Sequence, residues 1–257
     1  MASPFETFKN LHTAEQLFIL PNAWDAESAV ILQDCNYSAV GTSSAAVASV
    51  LGYADGECMP FTEYLMIIRR IATSVKIPVS VDMEMGYGKT NQEIFENIQK
   101  LLDTGIAGIN IEDSEIVSGK RSLRDSTEFA DQIFYLKRQL QQSQQSLFIN
   151  VRCDTYLLGV KNAREETATR VKAYEEAGAD GIFLPFIKEE QDIIHAVACT
   201  RLPLNVMAIP GLPPTAKLEH LGVKRVSMGP FLQMKTYSHA RELAKTVIDR
   251  KDIKPIL

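Results

Sequence analysis

Short runs of β-type apolar residues alternate with longer amphipathic runs along the whole chain. Between two of these runs, apolar residues recur at helical spacing at Ile94, Phe95, Ile98 and Leu101, and Gly105 follows as a helix end. Strands that alternate with helices form a parallel sheet, and eight repeats close it into a barrel, so the pattern predicts one (β/α)8 TIM barrel domain over residues 1–257. The predicted strands are 17–22, 39–43, 78–84, 108–113, 147–154, 181–187, 204–209 and 225–229.

Four consecutive strands carry polar residues in one of their two phases. In the third strand, for example, the acids Asp82 and Glu84 alternate with Val81 and Met83. Barrel interiors are normally filled by branched apolar side chains, and active sites lie at the carboxyl ends of the strands. The polar phase therefore predicts a polar pocket at that end of the barrel. Its members are Ser43, Asp82, Glu84, Asn110, Glu112, Asn150, Arg152 and Asp154.

Composition and charge narrow the class of partner. The chain is 46% apolar and carries a net charge of −5 without a Lys/Arg-rich run, which disfavours nucleic acid and anionic membranes as partners. No leader-like N-terminus and no long apolar run is present, so we expect an intracellular, cytoplasmic protein. The four cysteines are scattered, which disfavours a zinc site or a disulfide framework. A small molecule is the expected partner.

Carboxylates outnumber cations at the predicted pocket. Asp82, Glu84 and Glu112, joined by Asp55 from the loop after the second strand, exceed what Arg152 alone can neutralise. None of the four histidines falls at a strand end, so the donors are oxygens, which favours Mg2+ or Mn2+ over zinc. Because Mg2+ keeps several waters, we expect Asp82 to bind it directly and the other three acids to act through water.

The remaining polar groups of the pocket suit a small anionic substrate. Arg152 can bind a carboxylate or phosphonate in fork geometry. Ser43, with the backbone N–H groups of Ser44 and Ala45, can hold a second anionic end. Asn110 shares the inward phase and is a further candidate for substrate binding.

The motifs resemble those of the isocitrate lyase and phosphoenolpyruvate mutase superfamily along essentially the whole chain. The resemblance implies a TIM barrel and a Mg2+-dependent enzyme that binds a 2-oxo acid or its enolate. It also implies that Asp82 is the metal ligand and that Asp55, Glu84 and Glu112 hold its waters. Members commonly exchange their last helix, here 237–250, between subunits of a dimer or tetramer. The matching pieces are Pro21-Asn-Ala-Trp-Asp25, Gly41-Thr-Ser-Ser44, Leu51-Gly52 with Asp55, Asp82-Met-Glu-Met-Gly-Tyr-Gly88, Gly108-Ile-Asn-Ile-Glu-Asp113 and Val151-Arg-Cys-Asp154.

The chain departs from both branches of the superfamily. The lyase branch carries a Lys-Lys-Cys-Gly-His loop after the fourth strand, where residues 114–124 contain neither cysteine nor histidine. The mutase branch has a Lys-x-Asn lid and a histidine on the sixth strand, where this chain has Pro185 and no lid asparagine. The expected reaction is therefore C–C bond cleavage of a 2-oxo or 2-hydroxy di- or tricarboxylic acid by a lyase or decarboxylase, through a metal-stabilised enolate.

Residues 114–125 combine serine, glycine and charge, and we expect them to form a mobile lid over the bound anion. A solvated charged loop is the alternative interpretation. The cations of this segment are Lys120, Arg121 and Arg124, and we expect Lys120 and Arg121 to close over the anion. Lys120, with Arg152 and Glu112, completes the candidate catalytic set.

Other functions stay open at this stage. A C–P bond enzyme of the phosphonopyruvate hydrolase or mutase type, and a 2-oxo-acid-binding protein without turnover, would use the same pocket. A Schiff-base aldolase would use Lys188 after the sixth strand, but would leave the acidic cluster unexplained. A phosphate-binding barrel would use 209–215 and 228–230, which are proline-rich and poor in donors.

Overall fold

The computed structural model describes residues 2–257 and forms a closed barrel of parallel strands surrounded by helices. The first strand has two pieces, β1 (Phe18–Leu20) and β2 (Asn22–Ala23), separated by Pro21, which lacks a backbone N–H. β1 pairs with the last strand and β2 with the next one, so this strand closes the barrel. The barrel strands are β1 Phe18–Leu20, β2 Asn22–Ala23, β3 Val40–Thr42, β4 Val79–Asp82, β5 Gly108–Glu112, β8 Phe148–Arg152, β9 Gly181–Leu184, β10 Leu204–Met207 and β11 Val223–Ser227, while β6 Ser114–Val117 and β7 Lys120–Leu123 form a separate hairpin.

The prediction of a (β/α)8 barrel is confirmed, and each predicted strand is present with bounds that differ from the prediction by a few residues. Most strands are shorter than predicted, and the last one is shifted two residues towards the N-terminus. The trimming matters at one position, because β4 ends at Asp82 and Glu84 lies in the following turn with φ +49°. Glu84 therefore does not occupy the inward strand position that the sequence alternation predicts for it. The helices are α1 Pro4–Thr13, α2 Ala26–Asp34, α3 Ser44–Leu51, α4 Phe61–Ser74, α5 Asn91–Leu102, α6 Ser126–Gln142, α7 Ala163–Glu176, α8 Glu190–Ala198, α9 Thr215–His220 and α10 Phe231–Arg250, followed by a 3-10 turn at Lys254–Ile256.

The main apolar core lies between the barrel and its helices. Val81, Ile109 and Val151 point outward from their strands and are fully buried in this layer. At the period of two, their neighbours point into the barrel, which leaves the inward positions free for chemistry at the carboxyl end. Among residues 2–257, every helix is too short or too polar to meet the requirements of a membrane span.

Helix α1 covers the opposite, amino-terminal end of the barrel. Its Phe8 packs edge-on against Phe148, and its His12 ring stacks on Phe148 with centroids 4.1 Å apart. His12 Nδ1 lies 2.9 Å from the carbonyl oxygen of Phe8, which fixes Nδ1 as the donor. Burial, followed by the nearby charge of Arg225, lowers the pKa of His12 to about 3. The closed end is therefore packed with aromatic rings and holds a neutral histidine.

Candidate active site

A cavity of about 450 Å³ opens at the carboxyl ends of the strands, where the sequence predicts the pocket. Within residues 2–257, the charged side chains that line it are Asp55, Asp82, Arg121 and Arg152. Its other lining residues are Asn22, Thr42, Ser43, Ser44, Ala45, Asn110, Leu157, Leu158, Phe183, Pro185, Phe186, Met207, Ser227, Gly229, Pro230 and Phe231.

Asp82, at the end of β4, is held by the start of α3. Its Oδ2 accepts hydrogen bonds from the Ser44 N–H at 3.2 Å and from the Ser44 hydroxyl at 2.9 Å. Ser44 Oγ also lies 3.3 Å from Asp55 Oδ1, so one serine contacts both acids. Burial raises the pKa of Asp82, against the lowering effect of the Arg152 charge. Among the described residues Asp82 Oδ1 has no hydrogen-bond partner, so one oxygen is available to a ligand.

The serine segment is built differently from the predicted anion cradle. Ser43 caps α3, and its hydroxyl accepts the Ala46 N–H at 3.3 Å. The Ser44 N–H is used by Asp82, so it does not point to an open anion site. Ala45 lines the cavity, and its N–H makes no hydrogen bond within residues 2–257. One of the two predicted backbone donors is thus open, and the other serves a carboxylate.

Glu84 connects the loop between α3 and α4 with the loop after β4. Its two carboxylate oxygens accept the Glu57 N–H at 3.0 Å and the Tyr87 hydroxyl at 2.8 Å. The Glu57 carboxylate in turn accepts the Tyr87 N–H at 2.7 Å. Burial, then the charges of Asp55 and Asp82, raise the pKa of Glu84 to about 8. Glu84 sits close to the other acids, with both oxygens already hydrogen-bonded.

Arg152, at the end of β8, is fixed by two acids. Its Nε donates to Asp154 Oδ1 at 2.6 Å and its Nη2 donates to Asp154 Oδ2 at 3.2 Å. Its Nη1 lies 2.9 Å from Glu112 Oε2 in an ion pair. Burial raises the pKa of Glu112 to about 7, although Arg152 acts to lower it. The guanidinium has further N–H groups for a substrate, and it is rigid before the substrate arrives.

The predicted lid is an antiparallel hairpin, β6–β7, and its inward cation is Arg121. Arg121 Nη1 donates to Glu112 Oε1, forming an ion pair, and to Ser114 Oγ at 2.7 Å. The same nitrogen lies 3.6 Å from Asp154 Oδ2. Lys120 is exposed on the hairpin and lies outside the cavity lining. The sequence predicts Lys120 and Arg121 equally as lid cations. Because neighbouring side chains of a paired strand point to opposite sides, only Arg121 of the two points inward.

Asn110 of β5 forms part of the cavity floor. Its Oδ1 accepts Asn150 Nδ2 at 2.8 Å and Arg225 Nη2 at 2.9 Å. Within residues 2–257 Asn110 Nδ2 has no partner, so Asn110 presents a donor to the cavity. Arg225 is fully buried below it, and burial lowers its pKa to about 9 against the effect of Asp82. The sequence did not identify Arg225 as a site residue, because Arg225 is at the start of the predicted strand 225–229 and the site is expected at the carboxyl ends of the strands.

The donor set suits a hard divalent cation. Asp55 and Asp82 are oxygen donors that share Ser44 and form no ion pair with any Lys, Arg or His among residues 2–257. No three Asp, Glu, His or Cys side chains in that part of the chain converge to bind a metal directly. One direct carboxylate with the others acting through water is compatible with both observations and with the coordination habits of Mg2+.

Comparison with known proteins agrees with this architecture. The family model for phosphoenolpyruvate phosphomutase matches residues 8–248. The chain belongs to this family. It is 32% identical over 247 residues to the uncharacterized protein Rv1998c of Mycobacterium tuberculosis strain ATCC 25618 / H37Rv, covering 96% of this chain and 91% of the relative. It is 28% identical over 229 residues to an oxaloacetate decarboxylase of Ectopseudomonas mendocina strain ymp, covering 86% and 77%.

Solved structures show the same family. A protein from Burkholderia cenocepacia J2315, provisionally described as a phosphonomutase, superposes with a TM-score of 0.88 at 34% identity, covering 94% of this chain and 99% of that one. A 2,3-dimethylmalate lyase of the PEP mutase/isocitrate lyase superfamily superposes with a TM-score of 0.85 at 21% identity, covering 97% and 88%, which shows the shared fold. The predicted membership of the superfamily, and of its enzyme class, is confirmed.

Proposed function

We propose that the chain is a Mg2+-dependent, or Mn2+-dependent, lyase or decarboxylase. Its substrate would be a small 2-oxo or 2-hydroxy acid with further carboxylates, and the bond to C3 would be cleaved to leave an enolate. One observation carries the proposal: a carboxylate with an open oxygen, Asp82, and a rigid cation, Arg152, line the same cavity. The oxaloacetate decarboxylases among the relatives agree with this reaction class.

Asp82 would bind the cation directly, with Asp55, Glu84 and Glu112 holding its waters. When bound, the cation supplies electrostatic stabilisation of the negative charge that develops on the oxygen at C2. Glu84 suits an indirect role because both of its oxygens already accept hydrogen bonds. Asp55 suits it because Ser44 couples its carboxylate to that of Asp82.

The protein groups would bind and orient the acid end of the substrate. Arg152, held on Asp154 and Glu112, offers its remaining N–H groups to a carboxylate. Asn110 Nδ2 and the Ala45 N–H are further open donors of the cavity. Glu112 would act as a positioning group, since it contacts both Arg152 and Arg121.

The lid hairpin would cover the bound substrate. Ile116 of β6 packs against Gly56, where any side chain would collide with it, so the hairpin rests on the loop that carries Asp55. A hairpin in this position limits the access of bulk water to the cavity while the enolate forms. Arg121 would add a second cation to the substrate side of the lid.

Proton and phosphorus NMR of the purified protein tests the proposal. The panel contains oxaloacetate, phosphonopyruvate, phosphoenolpyruvate, isocitrate, methylisocitrate and dimethylmalate, each with Mg2+, with EDTA, and with the Asp82→Asn variant. The expected result is that only the unmodified protein releases a 2-oxo acid from a C–C substrate, in the presence of Mg2+, faster than a protein-free control does. Cleavage of phosphonopyruvate instead would indicate a C–P enzyme, and saturable binding without turnover would indicate a 2-oxo-acid-binding protein.

We also propose that α10 packs on a neighbouring subunit. Within one chain α10 leaves Met234 55% exposed and Ile248 71% exposed, and Tyr237 is 41% exposed beside Trp24. Exposed apolar residues along one helix favour an oligomer interface. Light scattering of the full chain should give a dimer or tetramer, and a monomer at micromolar concentration would contradict the proposal.

A further inference from the structure

The cavity has two chemically different walls. At the inward positions of β4, β5 and β8 stand Asp82, Asn110 and Arg152. At the inward positions of β9 and β10 stand Phe183 and Met207, facing the same cavity. The apolar wall, as we name it, consists of Phe183, Pro185, Phe186, Met207, Phe231 and Leu157.

The apolar wall offers nothing to an anion. The four charged side chains that line the cavity within residues 2–257 lie on β4, on β8, on the lid hairpin and in the loop between α3 and α4. A carboxylate placed against the apolar wall would lose its hydration without gaining a cation, which is unfavourable by several kcal/mol. The end of the ligand that meets this wall must therefore be uncharged.

The wall is presented to solvent rather than packed away. Phe186 is 45% exposed, and Phe231, at the start of the proposed interface helix α10, is 37% exposed within one chain. Phe186 also has φ +66°, a conformation that bulky residues rarely adopt. Backbone strain of this kind persists where the surrounding structure enforces it, and it clusters at ligand sites. An apolar ligand group that covers these rings would remove exposed apolar surface from water.

Gly229 leaves room for the Met207 side chain in the wall. A Cβ on Gly229 would lie 2.9 Å from Met207 Sδ, so the absence of a side chain at position 229 gives Met207 its place. Cavities of about 450 Å³ also belong to the range that takes drug-sized ligands, larger than a four-carbon dicarboxylate. The cavity volume, the chemistry of the wall and its exposure thus all favour a ligand that carries an apolar group.

We infer that the substrate carries an apolar substituent of three or more carbons, which lies against the apolar wall while its acid end lies on the polar wall. This inference rests on the proposed function for the acid end. In the decarboxylation of a 3-alkyl-oxaloacetate, the C3–C4 bond breaks, carbon dioxide leaves, the electron pair forms the enolate, and a proton from water adds at C3. The product is a 2-oxo acid whose chain keeps the substituent.

Binding and turnover are measured separately. Calorimetry with Mg2+ gives Kd for pyruvate, 2-oxobutanoate, 2-oxohexanoate and 4-phenyl-2-oxobutanoate, which carry the acid end with an apolar chain of increasing size. NMR follows Mg2+-dependent decarboxylation of oxaloacetate and of its 3-propyl and 3-benzyl derivatives, corrected for the spontaneous reaction. We expect Kd to fall about fourfold for each methylene buried, and kcat/KM to rise with the substituent.

Two wall variants locate the effect: Phe186→Ala removes a ring, and Met207→Gln keeps the size of the side chain but makes it polar. Each should reduce the ratio of the pyruvate Kd to the 2-oxohexanoate Kd at least about fivefold. Phe134→Ala is the matched control, because Phe134 is 55% exposed on α6 and lies outside the cavity lining, and its ratio should equal that of the unmodified protein. An unchanged ratio in both wall variants would overturn the inference.

The outcomes separate this inference from the proposed function. Tighter binding of longer chains without any turnover supports the apolar wall and contradicts the lyase. Turnover of oxaloacetate with no gain from a longer substituent supports the lyase and overturns the apolar wall. If no substrate is turned over and Kd does not depend on chain length, both the lyase and the apolar wall are contradicted.

Discussion

Two parts of the barrel rim, which we call the polar half and the apolar half, carry opposite chemistry. From β3 to β8 the strand ends deliver acids, serine, asparagine and arginine, whereas β9 and β10 deliver Phe183, Pro185 and Met207. The same fold and the same inward positions therefore carry two kinds of chemistry side by side. The polar half can bind charge and stabilise it during a reaction. The apolar half can only select what is attached to that charge.

The difference is also energetic. The polar half gathers carboxylates whose pKa values are raised by burial, with Glu84 at about 8 and Glu112 at about 7. Such groups reduce stability at neutral pH, and they are retained where function requires them. The apolar half contains no titratable side chain among Phe183, Met207 and Phe231. Perturbing the two halves should therefore change different observables.

The largest expected effect is at Asp82. Asp82→Asn keeps the shape of the side chain and removes the charge of the proposed direct ligand. We expect turnover to fall at least about 1,000-fold, since a metal ion contributes several kcal/mol of transition-state stabilisation. Steady-state assays over a Mg2+ titration measure it. Met207→Leu on the apolar half is the matched control, with a loss below about tenfold. Normal Mg2+-dependent activity of the Asn variant would show that Asp82 is not the direct metal ligand.

Arg152 should show the next largest effect. Arg152→Lys retains a positive charge but cannot bind Asp154 in fork geometry and a substrate at once. We expect KM for the acid to rise about 100-fold with a smaller change in kcat, as for loss of a charged hydrogen-bonded pair. If KM stays constant while kcat collapses, Arg152 serves the reacting centre rather than binding.

The acidic half should also make the metal-free protein less stable as the pH rises. Glu84 has its folded pKa raised to about 8 from an ordinary 4.5, so the folded chain holds this proton more tightly than the unfolded chain does. The associated stability is present below pH 4.5 and is lost as the pH rises through 8. Between pH 6 and pH 8 the loss is about 2 kcal/mol.

Glu84→Gln should remove that loss. Urea unfolding in EDTA at pH 6 and pH 8 gives the free energy of unfolding for both proteins, and the variant should lose about 2 kcal/mol less between the two pH values. Met207→Leu should follow the unmodified protein, because it carries no proton at any pH. Parallel pH curves for Glu84→Gln and the unmodified protein would mean that Glu84 ionises normally.

The sequence predicted the barrel and the polar half well, because both follow from periodicity. Asp82, Asn110 and Arg152 stand at inward strand positions, as alternation requires, and each lines the cavity. Prediction failed where a turn interrupts the period: Glu84 leaves the strand with φ +49°. The sequence also does not identify Phe183 and Met207 as wall residues, since both look like ordinary core residues. Only closure of the barrel brings them opposite Asp82.

The smallest effect separates Arg121 from Lys120 and tests how far the polar half extends into the lid. Arg121 contacts Glu112 and Ser114, and Lys120, although its neighbour, is exposed. We expect Arg121→Gln to lower kcat/KM about tenfold, through loss of a charged hydrogen bond, and Lys120→Gln to lower it less than about twofold. Both changes remove one positive charge from the same hairpin, so each controls for net charge in the other. The reverse order would make Lys120 the lid cation that meets the substrate, and it would require the hairpin to change its register or its twist on closing, because adjacent residues of a strand face opposite sides.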